Sequence, residues 1–252
     1  MNDMPLILED YLNYMETIKG SSPNTTKEYF YDLRSFFRFI KIRYKLIDKN
    51  TPFQEILIED VDIELIKKIN IQDLHAYIAF MDKNKKNKNS AKSRKVSSLK
   101  SFYNYLYSIV GLIDENPAEK LSSPKLDNRQ PVYLTLEESK KLLDTVLKTE
   151  NEFLRKRDYA IVLLFLNCGL RLSELSSIDM DKIKSDTLTV IGKGNKERTI
   201  YLNPSCIYAI EDYLTIRPTD ALDKKALFLS IRKQRISNRA IQRRIDKYLE
   251  DA

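Results

Sequence analysis

The chain has 252 residues, of which 42% are hydrophobic, so it is long enough to fold as one large domain or two modest ones. Its 43 lysines and arginines against 36 acidic residues give a formal net charge of +7. This excess of positive charge favours polyanionic partners, with nucleic acid ahead of an anionic membrane surface. Many runs of charged residues are only solvated faces, so the positions of the basic residues have to decide whether they bind a polyanion.

The cysteines and the N-terminus indicate where the protein works. Cys168 and Cys206 stand alone, without the spacing of a disulfide framework or a zinc site. The N-terminus does not resemble a signal peptide, and no apolar run approaches the ~20 residues of a membrane span. We therefore expect a soluble cytoplasmic protein with no membrane partner.

Helical periodicity recurs in four segments of the first hundred residues. The first covers Leu6 to Ile18, and the second begins where Ser22 caps a helix that has Pro23 at its first position. The third follows a cap at Asn70, and the fourth follows Ser90. These four apolar stripes predict a helical N-terminal domain over residues 1–113.

Positive charge is concentrated between residues 83 and 100, where eight lysines or arginines occur without an acidic residue. Residues 83–89 have the composition of a loop, and the helix after them carries basic and hydroxyl side chains that suit phosphate oxygens. The alternative is a solvated face that only keeps the protein soluble. The candidate DNA-contacting residues of this segment are Lys92, Arg94, Lys95 and Lys100.

Residues 114–131 have the composition of an interdomain linker, with three prolines and no helical period. The second domain, 132–252, opens with the capping-box pattern of Thr135 and Glu138. A strongly apolar helix should follow from Glu152 to Asn167 and end at Gly169, which can adopt the left-handed conformation.

Arg171 comes directly after this helix stop. Its backbone is therefore fixed, while its guanidinium can project into a cleft and match two phosphate oxygens. Glu174 lies three residues on, along the same helical face, where it can hold the guanidinium in place. A phosphate site and an ordinary surface salt bridge both fit this pair.

Two β-rich segments, Thr187–Ile191 and Glu197–Leu202, flank the sequence Gly-Lys-Gly-Asn-Lys and predict an antiparallel hairpin. The turn lacks the spacing of a nucleotide-binding P-loop, so ATP use is not indicated. Lys193, at the tip, can reach into a DNA groove and donate a proton to a leaving alkoxide. A solvated turn residue is the simpler alternative.

Basic residues also crowd the last helical segment, which follows a cap near Asn238. Arg239 and Arg243 are one helical turn apart, so they can follow phosphates or reach the edge of a guanine. Tyr248 has the spacing of a core residue and is expected to pack rather than react. His75, beside an apolar stripe of the first domain, is expected to be structural.

In this order, the segments resemble the tyrosine recombinase (phage integrase) family and, within it, the Xer-type site-specific recombinases. The resemblance runs from about Leu6 to Ala252 and rests on SPNTTKEYFYDLRSFFRFI, KSRKVSSLKSFYNYL, ENPAE, YLTLEE, CGLRLSEL and IGKGNKERTIYL. It implies a mainly α fold. The first part would be a four-helix SAM-like core-binding domain, and the second a mixed α+β catalytic domain with a small antiparallel sheet, incomplete at its C-terminus.

The resemblance also implies a chemistry. In that family a tyrosine attacks the scissile phosphate and forms a 3′-phosphotyrosyl link, which the hydroxyl of another strand then attacks. Arg171 would stabilise the phosphorane-like transition state, Lys193 would act as general acid, and Glu174 would support the site. Phosphodiester energy is conserved, so no cofactor is expected. The implied partners are double-stranded DNA and a paired recombinase, in a homo- or hetero-tetramer of the complete protein.

The chain departs from the family pattern after its last basic helix. The second arginine of an HxxR motif, the later histidine or tryptophan, and the nucleophilic tyrosine have no counterpart in the sequence. We expect a C-terminally shortened recombinase that is monomeric by itself. A noncatalytic DNA-binding regulator or architectural subunit stays open as an alternative. A type IB topoisomerase is disfavoured by the N-terminal pattern, and a membrane-surface protein by the lack of an adjoining apolar face.

The 252-residue chain is expected to bind DNA and not to cleave it. Incubation with a nicked suicide duplex should yield no covalent protein–DNA adduct on a denaturing gel. An adduct formed by this chain would contradict the expectation.

Overall fold

The computed structural model describes residues 4–48, 50–85, 89–123, 130, 132–192, 194 and 196–252. They form two units, Met1–Gln130 and Pro131–Ala252. The chain is mainly helical with a small antiparallel sheet, so the predicted fold class is confirmed. Among the helices of the described ranges, none has both the length and the apolar composition to cross a membrane.

The first unit contains the four expected helices and one short additional helix. Its helices are α1 (Leu6–Thr17), α2 (Pro23–Arg43), α3 (Ile63–Lys68), α4 (Ile71–Lys85) and α5 (Asn89–Asn104), continued by a π-helical segment, Tyr105–Ile109. The expected caps are present, since the Ser22 side chain accepts from the Thr25 N–H and Asn70 Oδ1 accepts from the Gln72 N–H. The prediction of a loop over residues 83–89 was wrong for 83–85, which extend α4, and for Asn89, which begins α5. Residues 86–88 lie outside the described ranges.

Aromatic rings form the centre of this unit. Phe37 of α2 meets Phe102 of α5 edge-on, with ring centroids 5.7 Å apart, and Tyr11 of α1 packs on Phe102 at 5.3 Å. Edge-to-face pairs at these distances add to the free energy gained by burial alone. Ala118 and Leu121 are buried in the same core, so the first part of the expected linker belongs to the first unit.

The basic face expected on α5 is partly internal. The Lys95 side chain is only 10% exposed, and its Nζ lies 2.6 Å from Oδ1 of the buried Asp32 on α2. The prediction that Lys95 contacts DNA phosphate is therefore wrong, because its ammonium group already neutralises a carboxylate inside the helical bundle. Lys95 precedes Leu99 and Phe102 by four and seven residues, so it lies on the apolar face of its helix.

The described residues of the second unit contain five α-helices, a short 3-10 helix at Met180–Lys182 and the sheet. Its elements are α6 (Leu136–Leu147), α7 (Glu152–Cys168), α8 (Leu172–Ser176), β1 (Ile183–Lys184), β2 (Thr187–Ile191), β3 (Glu197–Tyr201), α9 (Pro204–Leu214) and α10 (Asn238–Asp251). The sheet order is β1-β2-β3, and both pairings are antiparallel. The predicted hairpin is confirmed, with Thr187 opposite Tyr201 and Ile191 opposite Glu197.

The sequence signals at the ends of α6 and α7 are also confirmed. Glu138 Oε2 accepts from the Thr135 N–H at 2.7 Å, while Thr135 Oγ1 accepts from the Glu138 N–H at 3.2 Å, which completes the capping box. Gly169 ends α7 with φ of 56°, a left-handed conformation that glycine adopts without the steric cost of a side chain. The buried α7 packs against α6 and α9.

A buried carboxylate holds α10 against α7. Oδ1 of Asp158 accepts from Arg157 Nε at 2.8 Å, and its Oδ2 accepts from Arg244 Nε at 2.7 Å and from the Tyr248 hydroxyl at 2.8 Å. The Tyr248 ring is buried among Leu142, Val146 and Val162, so the expected packing role of Tyr248 is confirmed. Ser237 rather than Asn238 caps this helix.

Replacing Asp158 with alanine should destabilise the second unit strongly. The substitution leaves the guanidinium of the buried Arg157 without its charge partner, which typically costs about 3–5 kcal/mol. Urea unfolding measures this loss. The control Asp144→Ala removes an exposed carboxylate from α6 and should change the free energy of unfolding by no more than about 0.5 kcal/mol. Equal effects of the two substitutions would contradict this account of α10.

Candidate phosphate-binding site

The site is built at the start of α8. Arg171 occupies the N-cap position of this helix, between Leu170 and Leu175, both of which are buried in the core of the second unit. The backbone of Arg171 is therefore held firmly, while its side chain remains 67% exposed. The predicted combination of a fixed backbone and a solvent-exposed side chain is present at Arg171.

Glu174 is the buried acceptor of this site. Its side chain is only 1% exposed, and both of its oxygens accept from Arg171: Oε1 from Nη1 at 2.8 Å and Oε2 from the backbone N–H at 2.9 Å. A buried carboxylate with several charged or backbone donors holds a fixed geometry, because the loss of any donor would leave a buried oxygen without a hydrogen bond to replace water. The pair is thus more than a solvated surface salt bridge.

A second guanidinium, which the sequence pattern did not predict, binds the same carboxylate. Nη2 of Arg198, on β3, lies 2.7 Å from Glu174 Oε2, and it also donates to the Gly169 carbonyl at 3.4 Å. Arg198 ends the GKGNKER segment, but it is 24 residues from Glu174 in sequence, and no local spacing links the two. Only the antiparallel pairing of β2 with β3 brings Arg198 to α8.

The two arginines determine the charge state of Glu174. Burial alone would raise the pKa of its carboxyl group, but the hydrogen bonds from the Arg171 N–H and from both guanidinium groups outweigh burial and lower the pKa to about 2. Glu174 is therefore ionised at neutral pH, and the three side chains together carry one net positive charge.

The hairpin begins beside this cluster. A Cβ placed on Gly192 would lie 3.4 Å from Glu174 Oε1 and 3.7 Å from Arg171 Nη1, which is ordinary van der Waals contact. The Gly192 N–H donates to the Lys196 carbonyl at 2.8 Å and closes the turn. Lys193, the next residue in sequence, lies outside the described ranges, so its proposed role stays a prediction.

Comparisons with known proteins agree with this geometry. Residues 132–252 match the model of the phage integrase family. The chain is 55% identical to tyrosine recombinase XerC of Caldanaerobacter subterraneus subsp. tengcongensis over 249 residues, which cover 98% of the chain and 69% of that protein. It is 32% identical to tyrosine recombinase XerC of Thermodesulfovibrio yellowstonii, over 98% of the chain and 76% of that protein.

The chain belongs to the Xer-type tyrosine recombinases. Site-specific DNA recombination is the function of this family. Two solved structures support the fold: a lambda integrase tetramer bound to a Holliday junction has a TM-score of 0.67 at 17% identity, covering 99% of the chain and 64% of that protein. XerH site-specific recombinase bound to a palindromic difH substrate has a TM-score of 0.67 at 16% identity, and the match covers 96% of the chain and 67% of that protein.

In this tyrosine recombinase the candidate DNA-binding residues of the two units differ in how free their charges are. On α5, Lys92 pairs with Asp82 at 2.7 Å and Arg94 pairs with Glu28 at 2.9 Å, whereas Lys100 is exposed. Arg94 is also bound to Asp32. Two of these cations therefore have partners within the first unit.

On α10 the recombinase presents Arg239 and Arg243 to solvent, and no ion pair to either is found among the described residues. Two other basic residues of this region have structural roles, since Arg244 holds Asp158 and Arg235 donates to Asp179 and Asp223.

His75 is exposed on α4 of the first unit rather than packed in its core.

Glu174→Gln should lower the free energy of unfolding at neutral pH by about 3 kcal/mol, because the variant loses the favourable interaction of the ionised carboxylate with its donors, which lowers the Glu174 pKa from 4.5 to about 2. The folded-state pKa of about 2 lies below the ordinary value of 4.5, so this stabilisation is present above about pH 4.5 and is lost as the pH falls toward 2. The stability difference between wild type and variant, measured by urea unfolding, should therefore shrink between about pH 6 and pH 3. Asp144→Asn, on the surface of α6, serves as the control and should show a small difference at both pH values. A difference for Glu174→Gln that stays constant with pH would contradict the assignment.

Proposed function

We propose that Arg171 binds the scissile phosphodiester of a DNA duplex during site-specific recombination, with Glu174 holding its guanidinium in place. The observation that carries this proposal is the combination of a buried, ionised carboxylate with an arginine whose guanidinium remains 67% exposed. The carboxylate holds Nη1 of the guanidinium, and the exposure of the side chain leaves its other N–H groups accessible to phosphate oxygens. A planar guanidinium held in this way can recognise a phosphate through two parallel hydrogen bonds.

Electrostatics favour the transition state over the ground state at such a site. The phosphorane-like transition state carries more negative charge than the phosphodiester, and a positive group that is already in place stabilises this charge without reorganising. In this proposal Lys193 is the general acid that protonates the leaving 5′-oxygen. The position of Gly192 supports this role, since an added Cβ there would lie 3.4 Å from Glu174 Oε1, and Gly192 directly precedes Lys193 in sequence.

DNA binding in this proposal uses both units. In the first unit the contacts come from Lys92, Arg94 and Lys100 of α5, and in the second from Arg239 and Arg243 of α10. Lys100, Arg239 and Arg243 are the strongest members, because their side chains are exposed and do not first have to leave an acidic partner. Such contacts act mainly through charge, and each neutralised phosphate releases counterions.

The wider biological setting belongs to the same proposal. We assign the protein to the cytoplasm, to chromosome partition at cell division, and to a tetramer on two duplexes in which a paired recombinase contributes protomers. The tetrameric lambda integrase complex and the XerC relatives support this setting by analogy of fold and family.

Arg171→Met should weaken binding to a fluorescent DNA duplex about tenfold, the effect of removing one charged hydrogen-bond donor. It should also reduce the slope of log affinity against log salt concentration by about one, because one phosphate contact is lost. Arg239→Met and Arg243→Met should each reduce the slope in the same way. Fluorescence anisotropy at several salt concentrations measures both quantities.

Lys224→Met is the matched control, since it removes one positive charge from an exposed lysine outside the proposed set. It should leave the slope within experimental error of wild type. If Arg171→Met behaved like Lys224→Met, Arg171 would not contact the duplex and the proposed function would fail.

A further inference from the structure

We propose that Arg198 is a positioning residue, which holds the Glu174 carboxylate, and through it Arg171, in the geometry that receives a phosphate. This inference rests on the proposed function and adds a residue that the local sequence pattern did not identify. Arg198 would not touch the phosphate itself. Its effect on DNA would pass through Glu174.

The division of the Glu174 oxygens supports this role. Oε1 is bound by Arg171 Nη1, and Oε2 is shared between the Arg171 N–H and Arg198 Nη2, at 2.9 and 2.7 Å. Arg171 by itself would hold the carboxylate less firmly, because one of its two donors belongs to a flexible side chain that is largely exposed. Arg198 approaches from a different element, β3, and locks the plane of the carboxylate.

The backbone around Arg198 explains why it can hold this position. Arg198 is paired with Val190 across the sheet, and directly opposed residues place their side chains on the same face. Val190 is buried, so this face is the one that packs on the core and on α8. The guanidinium then reaches two acceptors in the same region, Glu174 Oε2 and the Gly169 carbonyl.

Arg198 also connects the parts of the site that come from distant segments of the chain. The Gly169 carbonyl belongs to the turn just before Arg171, and β3 is the strand that follows the Lys193 turn. One guanidinium thereby ties the end of α7, the start of α8 and the base of the hairpin together. Loss of these contacts should disturb the orientation of the Arg171 fork while the helices remain folded.

A double-substitution cycle separates positioning from direct contact. Arg198→Met should raise the pKa of Glu174, followed by NMR titration of its carboxyl carbon, and should weaken duplex binding several-fold. If Arg198 acts through Arg171, Arg198→Met should have no further effect on affinity or salt slope in the Arg171→Met background. Losses that add in the double variant would overturn the proposal, because they would mean that Arg198 contacts DNA independently.

A control separates positioning from stability. Val190→Ala weakens the packing of the same sheet but keeps both arginines, so it should lower the melting temperature and leave the Glu174 pKa and the duplex affinity unchanged. If Val190→Ala weakened binding as much as Arg198→Met, the role of Arg198 would be structural only and the proposal would be overturned.

The outcomes also distinguish this inference from the proposed function. Wild-type duplex affinity of Arg171→Met would defeat the proposed function, whatever Arg198 does. A weakened Arg171→Met together with an unchanged Glu174 pKa in Arg198→Met would defeat the positioning role alone. A raised Glu174 pKa with non-additive loss of affinity supports both.

Discussion

The candidate site depends on one buried negative charge. A carboxylate removed from water is stable only when donors replace its hydration, and Glu174 obtains three donors within 3 Å from two arginines. Satisfying this charge fixes the first turn of α8, the fork of Arg171 and the strand that bears Arg198. The positive groups are thus held close together by the acid between them, and their mutual repulsion is offset before any DNA arrives.

Local signals in the sequence predicted the parts of the fold that are determined locally. The capping box at Thr135, the helix stop at Gly169 and the turn between β2 and β3 each depend on a few neighbouring residues, and the structure has all three. The Arg171–Glu174 contact was also predictable, since it joins residues one helical turn apart. Helix α9 was not predicted, although Asn203 followed by Pro204 is a readable start signal.

The features that the sequence did not reveal depend on partners far apart in the chain. Arg198 meets Glu174 through sheet pairing, and Lys95 meets Asp32 across a separation of 63 residues. A run of lysines and arginines therefore overstates the charge available to a polyanion, because some members neutralise acids inside their own unit. The spacing of Lys95 from Leu99 and Phe102 could have predicted this, since it places Lys95 on the buried face of the helix. A basic side chain there must either pair with an acid or extend out of the core.

The anchoring of α10 divides this helix lengthwise into an inner surface that packs on its own unit and an outer surface that faces solvent. The inner surface is secured by Asp158 of α7, through Arg244 and Tyr248, while Arg239 and Arg243 lie outside that network. Exchanging the outer side chains would leave the anchor untouched. Under the proposed contact of Arg239 and Arg243 with DNA, a protein built in this way can acquire a new preference for nucleotide sequence during evolution with little penalty to folding, and the outer surface of α10 is the place to begin an engineered retargeting.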